Sequence, residues 1–190
     1  MRRPGWVGLS AVLMLSLPLA GCAPYTAVTG PQHLAESGLE VTIPSGWYRA
    51  NMASDMFLIT HDGLALQYIR LQRVAVSDDL KFTKRKFEAT MPPPEVAEVE
   101  LDEMRANPAV LNLAVEENLP AMLDGYAGFR IVCGWNTTDG LRLKRVHYGF
   151  RAGTYVYRIM YQATARYYFD RDVATFETVR LSLHMLGKPP

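Results

Sequence analysis

The sequence predicts the α+β class, with an antiparallel β-sheet and helices packed on it. Three observations support this prediction. Segments with alternating apolar residues outnumber those with helical spacing, consecutive strands are separated by short turns that contain Gly, and only two segments have the features of a helix. The chain has 190 residues and no internal repeat, which is typical of one well-packed domain.

The first predicted strands lie in the first half of the chain. Residues 39–43 alternate between apolar and polar, and the Pro-Ser-Gly sequence of residues 44–46 predicts a turn. Residues 56–61 and 64–74 are rich in strand-forming side chains and are separated by an Asp-Gly turn signal. We therefore expect a second hairpin there.

A helix is predicted over residues 94–107. It follows the Pro-rich, extended segment 78–94, carries acidic residues in its first turns and stops at Asn107-Pro108. Residues 110–117 then predict a strand.

The last third of the chain predicts three antiparallel strands and a helix. The strands cover residues 122–135, 141–151 and 154–163, and Gly125 indicates a bulge or bend in the first of them. The helix covers residues 170–183, with Asp at its N-cap. Its apolar side chains recur at helical spacing and are expected to face the sheet: Phe169, Val173, Phe176 and Val179.

The N-terminus resembles a bacterial lipoprotein signal. Residues 1–21 begin with a positive charge and continue into an apolar stretch that is short for a membrane span. The stretch ends in Leu19-Ala20-Gly21-Cys22, which is similar to the lipobox. This resemblance implies that a lipid is attached to the Cys22 sulfur and that signal peptidase recognises the three preceding residues. The alternative is an ordinary secretory signal that carries a Cys after its cleavage site.

The same resemblance suggests a location and a domain layout. Ala23 follows the Cys, which favours the outer membrane over the inner one in the sorting pattern of Gram-negative bacteria, and we expect the protein to face the periplasm. Residues 22–37 are polar and small and predict a lipidated tether. We expect a single domain over residues 38–185 and a short tail over residues 186–190.

Composition limits the kinds of partner and of cysteine chemistry. Removal of the signal would leave 18 basic and 19 acidic side chains, a formal charge of −1, which argues against a nucleic-acid partner. Cys133 would be the only thiol left, and it falls on the apolar face of a predicted strand. We expect it to be buried and inert, with a reactive thiol or an intermolecular disulfide as the alternatives.

Several motifs in the predicted domain resemble one fold family. They are a strand-plus-turn near the start, a Gly-rich beginning of a long strand, and a final helix after a Tyr-rich strand: Val41-Thr42-Ile43-Pro44-Ser45-Gly46-Trp47, Gly125-Tyr126-Ala127-Gly128-Phe129-Arg130, Tyr168-Phe169-Asp170 and Phe176-Glu177. Their order resembles the PsbP-like α/β/α sandwich, which occurs in a photosystem II extrinsic protein, a eukaryotic Ran-binding import factor and bacterial envelope lipoproteins. The resemblance implies a non-enzymatic binding or assembly role and transfers no functional residues.

No catalytic or metal-binding pattern stands out. There is no nucleophile elbow, phosphate loop or dinucleotide fingerprint, and the four histidines lack metal-ligand spacing. His61-Asp62 has the residue types of a catalytic pair, but its place beside Gly63 favours a turn. We therefore expect no enzyme activity, no cofactor and no metal.

Charge is distributed unevenly along the chain. Residues 95–117 contain seven acidic side chains and one basic side chain, whereas residues 125–185 contain nine basic and four acidic ones. The basic residues either pair with the acidic segment or form a surface for an anionic partner. Arg158 stands out because apolar residues flank it on one face of a predicted central strand, so it is either paired internally or lines a pocket. Internal pairing is the favoured interpretation.

Two functions fit these observations. The first is a lipid-anchored accessory or scaffold protein of the bacterial envelope that binds another envelope protein. The alternative is a small-ligand binding module whose cleft is lined by aromatic side chains and closed by an arginine: Trp135, Tyr148, Phe150, Tyr155, Tyr157 and Tyr161. The same rings would otherwise form the core between the sheet and a helix.

Overall fold

The computed structural model describes residues 24–35, 37–51 and 56–187. Within them, nine strands and two helices follow one another along the chain: β1 Tyr25–Leu34, β2 Leu39–Ala50, β3 Met56–Thr60, β4 Gln67–Ala75, α1 Pro93–Arg105, β5 Leu111–Leu123, β6 Tyr126–Asn136, β7 Arg142–Ala152, β8 Tyr155–Thr164, α2 Tyr168–Leu181 and β9 His184–Met185. The predicted fold class is confirmed, because all strand pairs are antiparallel and both helices pack on the sheet. The signal and the lipobox lie outside the described residues.

One sheet carries two hydrophobic cores, one on each face. Its strand order is β1-β2-β3-β4-β8-β7-β6-β5, with β9 paired to β2. On one face, α1 packs over β5, β6 and β7, and its Ala97 and Leu101 join a core with Ile131 and Cys133. On the other face, Phe176 of α2 joins a larger core with side chains of β2, β3, β4, β7 and β8. The result is a three-layered arrangement of helix, sheet and helix.

The predicted tether over residues 22–37 is wrong, because most of it forms the edge strand β1. Tyr25 pairs with Ala50 and Leu34 pairs with Leu39, so β1 follows β2 along its whole length. Most side chains of β1 are exposed, and the strand is held by backbone pairing rather than by burial. The sheet therefore begins three residues after Cys22, instead of near Gly38.

The turn predicted at residues 44–46 is a bulge inside β2. Val28 pairs with Trp47 and Gly30 pairs with Ile43, so three residues of β2 stand opposite one residue of β1. This bulge bends the two-stranded ribbon. The first half of β2 lies against the end of α2, where Thr42 N donates to Ser182 Oγ at 2.9 Å, and the second half pairs with β3.

The single strand predicted over residues 122–135 is in fact two strands. Asp124 and Gly125 form the turn between β5 and β6, with φ angles of 46° and 81°. Two successive positive φ angles are typical of a type I′ hairpin turn, in which Asp-Gly is favoured. The strand predicted over residues 110–117 is β5, which continues to Leu123. Pro120 lies inside β5, which the sheet tolerates because β5 is an edge strand.

Both predicted helices are present with shifted ends. α1 begins at Pro93 and carries Glu95 in its first turn, as expected for a helix N-terminus. α2 begins at Tyr168, so Asp170 lies in the first turn and is not the N-cap. At the C-terminus, Leu186 N donates to Gly38 O at 2.7 Å, so the ordered chain extends beyond the predicted end of the domain.

Candidate functional site

A band of polar side chains crosses the α1 face of the central strands β4, β8 and β7. Antiparallel partners point to the same face of a sheet, so the register fixes its layout. Arg70 and His147 flank Met160, while Tyr68 and Arg145 flank Gln162. We call this group the arginine band, and its members are Tyr68, Arg70, Arg145, His147, Arg158 and Gln162.

Arg158 makes a buried ion pair with α1. Its Nε donates to Glu100 Oε1 at 2.6 Å, and the two side chains are only 10% and 7% exposed. The ring of Phe87, from the segment before α1, lies 5.5 Å from the guanidinium. The predicted internal pairing of Arg158 is thus confirmed against the pocket alternative, although Nη2 has no hydrogen-bond partner among the described residues.

Arg70 and Arg145 have only neutral side-chain acceptors. Arg70 Nη2 lies 3.1 Å from the Met160 sulfur, and Arg145 Nη2 donates to Gln162 Oε1 at 2.5 Å. The Nε atoms of both arginines are buried and have no acceptor in the described part of the chain. Burial, together with the positive charge of Arg145, lowers the pKa of Arg70. The band therefore carries positive charge that only one carboxylate, Glu100, pairs with among the residues that the structure describes.

His147 is enclosed by the same band. Its ring is 2% exposed, packs edge-on against Phe129 at 5.3 Å, and offers two nitrogens that lack partners among the described residues. Burial lowers the pKa of His147 well below its usual value, and the neighbouring arginines lower it further. The imidazole is consequently neutral and closed to solvent.

Sequence reasoning missed most of the arginine band. Arg70 and His147 each alternate with apolar residues in their strands, a pattern that predicts a solvated face. One signal in the sequence could have indicated the band. Polar residues recur at every second position on β4 and on β7, and β8 carries a charged residue, Arg158. Only the strand order, which places β4 beside β8, brings these positions together.

Other basic residues pair with the acidic segment, as one interpretation of the charge pattern predicted. Lys144 contacts Glu116 at 2.7 Å, and Arg130 forms an ion pair with Glu117. These pairs lie at the surface, with exposed fractions between about a quarter and two fifths. Because these basic groups are already paired, the basic surface left for a partner consists of the arginine band and scattered single charges.

The predicted aromatic cleft does not exist as one site. Tyr148, Phe150, Tyr157 and Tyr161 are buried in the core beneath α2. Trp135 lies on the opposite face of the sheet, beneath α1. These rings pack the core, in agreement with the alternative interpretation.

A separate cleft of about 460 Å³ lies between the tip of the β1–β2 ribbon and the β3–β4 hairpin. Its walls include Phe57, Leu71 and Tyr155, the one predicted cleft residue that lines it. Two arginines lie over these rings: Arg49 is 5.4 Å from the ring centre of Phe57, and Arg73 is 4.4 Å from that of Tyr155. The cleft thus combines apolar walls with cationic groups at their surface.

His61 and Asp62 take part in a structural cluster. Asp62 Oδ2 accepts hydrogen bonds from Gln67 Nε2 at 2.6 Å and from Arg171, and it lies 2.9 Å from His61 Nδ1. Asp172 of α2 accepts from the same Gln67 amide at 2.8 Å. One oxygen of the Asp62 carboxylate therefore joins the β3–β4 hairpin to α2.

Metal-ligating groups, the free thiol and apolar helices offer no further site in the described part of the chain. No group of three or more His, Cys, Asp or Glu side chains in the described residues could hold a metal ion. Cys133 is fully buried, 3.9 Å from the Met104 sulfur, and burial raises the pKa of its thiol, which confirms the prediction of a buried side chain. No helix within residues 24–35, 37–51 and 56–187 has the length and apolar character needed to cross a membrane.

Comparison with known proteins identifies the fold. By sequence, the chain matches no protein-family model and no curated protein. By structure, it superposes on the cyanobacterial PsbP protein CyanoP of Synechocystis sp. PCC 6803 with a TM-score of 0.51 and 13% identity, covering 90% of this chain and 98% of that one. The chain has the PsbP-like fold.

Two further solved structures are similar to this chain over most of their length. The Saccharomyces cerevisiae Ran-binding protein Mog1p gives a TM-score of 0.57 at 7% identity, covering 85% of this chain and 97% of Mog1p. LpqN of Mycobacterium tuberculosis, a protein involved in cell envelope biogenesis, gives a TM-score of 0.52 at 12% identity. The match covers 84% of this chain and 90% of LpqN. Identities this low establish the PsbP-like fold alone.

The strand-plus-turn motif that suggested the PsbP-like fold has a structural role. Trp47 is 2% exposed and packs in the core on the α2 face. Gly46 has a φ of +89°, and a Cβ added there would lie 3.2 Å from the ring of His61. The motif therefore determines the bend of β2 and the packing beside it.

Proposed function

We propose that this chain is a lipid-anchored, non-enzymatic accessory protein of the bacterial envelope that binds a partner through its arginine band. The anchor is proposed from the lipobox, and an envelope setting fits the involvement of LpqN in cell envelope biogenesis. The observation that carries the binding role is the excess of guanidinium groups over carboxylates in the band, because charged groups left without partners inside a protein are costly.

The chemistry of the band suits recognition better than catalysis. A general base needs a pKa near the working pH and access to a substrate. His147 is buried and held neutral, and Glu100 is held by Arg158. What remains towards the solvent is a pair of half-buried guanidinium groups, which bind anions without exchanging protons.

The anchor is tested by Cys22→Ser, with Cys133→Ala as the matched control. The lipid can join only a thiol, and Cys133 is buried, so palmitate labelling should be lost in Cys22→Ser and kept in Cys133→Ala. Loss of the acyl chains should also release the protein from membranes, since each buried methylene contributes about 0.8 kcal/mol. Labelled Cys22→Ser protein of mature size would contradict the anchor.

The binding role is tested by crosslinking in intact cells. A photoreactive phenylalanine analogue at Tyr68, within the band, should crosslink one defined envelope protein. The same analogue at Tyr167, which is 60% exposed near the start of α2, serves as the control. Equal crosslinking from both positions, or turnover of a substrate by the purified protein, would argue against this function.

A second function is favoured by the cleft between the β1–β2 ribbon and the β3–β4 hairpin. Its volume of about 460 Å³ falls within the roughly 300–1,000 Å³ range of ligand sites, and its lining combines aromatic and cationic groups. Native mass spectrometry of the purified chain would detect a bound small molecule. Ala75→Trp, at a half-buried position of the cleft wall, should fill the cleft and abolish that mass difference, whereas ligand-free wild-type protein would contradict this function.

A further inference from the structure

We infer that Arg70 and Arg145 form a binding site for an oxyanion, a phosphate or carboxylate group, at the solvent side of the arginine band. This inference rests on the proposed binding role and names the chemistry that the band recognises. The oxyanion is either free in solution or carried by an acidic side chain of the partner protein.

The two guanidinium groups converge on one strand from both sides. Arg70 lies on β4 and contacts Met160, whereas Arg145 lies on β7 and contacts Gln162. Met160 and Gln162 are successive same-face positions of β8, and such positions are about 7 Å apart along a strand. We expect a phosphate or carboxylate group to bridge the two arginines across this spacing, with hydrogen bonds of about 2.9 Å on either side.

Within the described residues, no carboxylate forms an ion pair with Arg70 or Arg145. Among the described residues of this face, Glu100 is engaged by Arg158. Glu103, on the next turn of α1, accepts from the backbone N–H groups of Phe82 and Thr83 at 2.8 and 2.9 Å. Three guanidinium groups thus share one carboxylate, and an added oxyanion would reduce the excess of positive charge.

The free donors suit an oxyanion specifically. The Nε and one Nη of a guanidinium form a fork that matches two oxygens of a carboxylate or phosphate. In both arginines the Nε–H is buried and lacks an acceptor among the described residues, so an oxyanion that enters beside the half-buried guanidinium group would satisfy this donor. Gln162 Oε1 accepts from Tyr68 at 2.9 Å as well as from Arg145, which holds the Arg145 side chain in place.

Nuclear magnetic resonance of the arginine side chains tests the site directly. The full chain, purified in a neutral detergent, is labelled with ¹⁵N and titrated with inorganic phosphate or with acetate, while chloride keeps the ionic strength constant. We expect the Nε–H signals of Arg70 and Arg145 to shift saturably, and that of Arg105 to stay unchanged. A larger response to phosphate favours a free oxyanion, and a larger response to acetate favours an acidic side chain. No saturable shift with either anion overturns the inference.

Variants provide a second measurement. Phosphate should raise the Tm of the wild type by a few degrees, because a ligand that binds only the folded state stabilises it. Arg70→Gln and Arg145→Gln should lose this rise. Arg105→Gln should keep it, since Arg105 pairs at the surface with Asp102 at 2.9 Å. An unchanged rise in Arg70→Gln overturns the site, and if that variant does not fold, the titration of the wild type still decides.

This result is independent of the anchor. The titration needs no lipid, so an oxyanion site would persist in a protein that fails palmitate labelling. Conversely, the protein could take up palmitate and crosslink a partner while the Nε–H signals of Arg70 and Arg145 do not respond to either anion. That result would support the proposed function and overturn this site.

Discussion

At the scale of single residues, the Arg158–Glu100 pair fixes how α1 sits on the sheet. Two charges are taken out of water, and the 2.6 Å contact between them offsets that cost only while both are present. The ion pair therefore serves mainly to position α1 on the sheet.

We predict that Glu100→Gln destabilises the protein strongly. The change leaves the Arg158 guanidinium buried without a carboxylate, and breaking a buried pair in this way costs about 3–5 kcal/mol. The double change Glu100→Leu with Arg158→Met should cost much less, because it removes both charges. Urea unfolding followed by circular dichroism measures the free energy of unfolding.

The control for this prediction is Asp102→Asn, which breaks the exposed pairs of α1 with Arg85 and Arg105. Exposed pairs contribute about 0–1 kcal/mol, so this variant should remain close to the wild type. Equal losses of unfolding free energy in Glu100→Gln and Asp102→Asn would show that the buried pair contributes no more to stability than the exposed pairs.

The arginine band also shows what a sequence can reveal about single residues. Arg158 could be singled out because Val156 and Met160 flank it on one face of a strand that is apolar on both sides. Arg70 could not, because a charged residue between Ile69 and Leu71 is typical of a half-solvated strand. Its burial depends on a strand more than 80 residues away in the sequence, β8, which pairs with β4.

At the scale of elements, local sequence patterns predicted most of the fold. They failed for elements whose structure depends on pairing with another strand. Strands β6, β7 and β8 and both helices follow from periodicity, since their apolar faces are buried. β1 has no such face, so its composition resembled a tether. The Asp124-Gly125 turn was misinterpreted because apolar residues continue on both sides of it, as in one long strand.

The cluster around Asp62 joins two elements and should make stability depend on pH. Burial alone would raise the pKa of Asp62, but hydrogen bonds from Arg171, His61 and Gln67 lower it from 3.8 to about 2. A pKa that is lower in the folded state stabilises the fold above pH 3.8, and this stabilisation is lost as the pH falls towards 2.

We predict that Asp62→Asn lowers the free energy of unfolding by about 1–2 kcal/mol at neutral pH, a value reduced for the partial exposure of the cluster. The difference from the wild type should shrink as the pH falls from 4 to 2. Asp79→Asn is the matched control, because Asp79 is exposed and its ion pair with Lys86 is 3.5 Å long. Urea unfolding at several pH values measures both variants, and a difference that is constant with pH would contradict the role of Asp62.

At the scale of the whole molecule, the early start of β1 bears on how an anchored protein would lie. Tyr25 is three positions after Cys22, and a chain of that length spans at most about 11 Å. The opposite edge, β5, is seven strand positions away, or up to about 34 Å at normal strand spacing. A lipid on Cys22 would therefore hold the β1 edge at the membrane, where the exposed rings of Tyr25 and Tyr48 suit the interface.

We predict that a probe on β1 lies closer to the lipid than a matched probe on β5. Ala27 and Ala114 are exposed alanines on these two edge strands, and Cys133 is buried, so each can be changed to Cys and labelled selectively with a fluorophore. In vesicles that contain headgroup-labelled quencher lipids, the Ala27→Cys probe should be quenched strongly and the Ala114→Cys probe weakly. Equal quenching would mean that the edge is not held at the membrane.

A spacer distinguishes the short connection from other causes of membrane contact. A Gly-Ser insertion of about 16 residues between Ala23 and Pro24 adds a mean reach of roughly 20–24 Å, which is enough to lift the β1 edge from the surface. If the short connection alone holds the edge there, quenching at Ala27→Cys should fall towards that at Ala114→Cys, while palmitate labelling is unchanged. If quenching persists with the spacer, the β1 edge itself binds the membrane, and the exposed Tyr25 and Tyr48 become the side chains to change next.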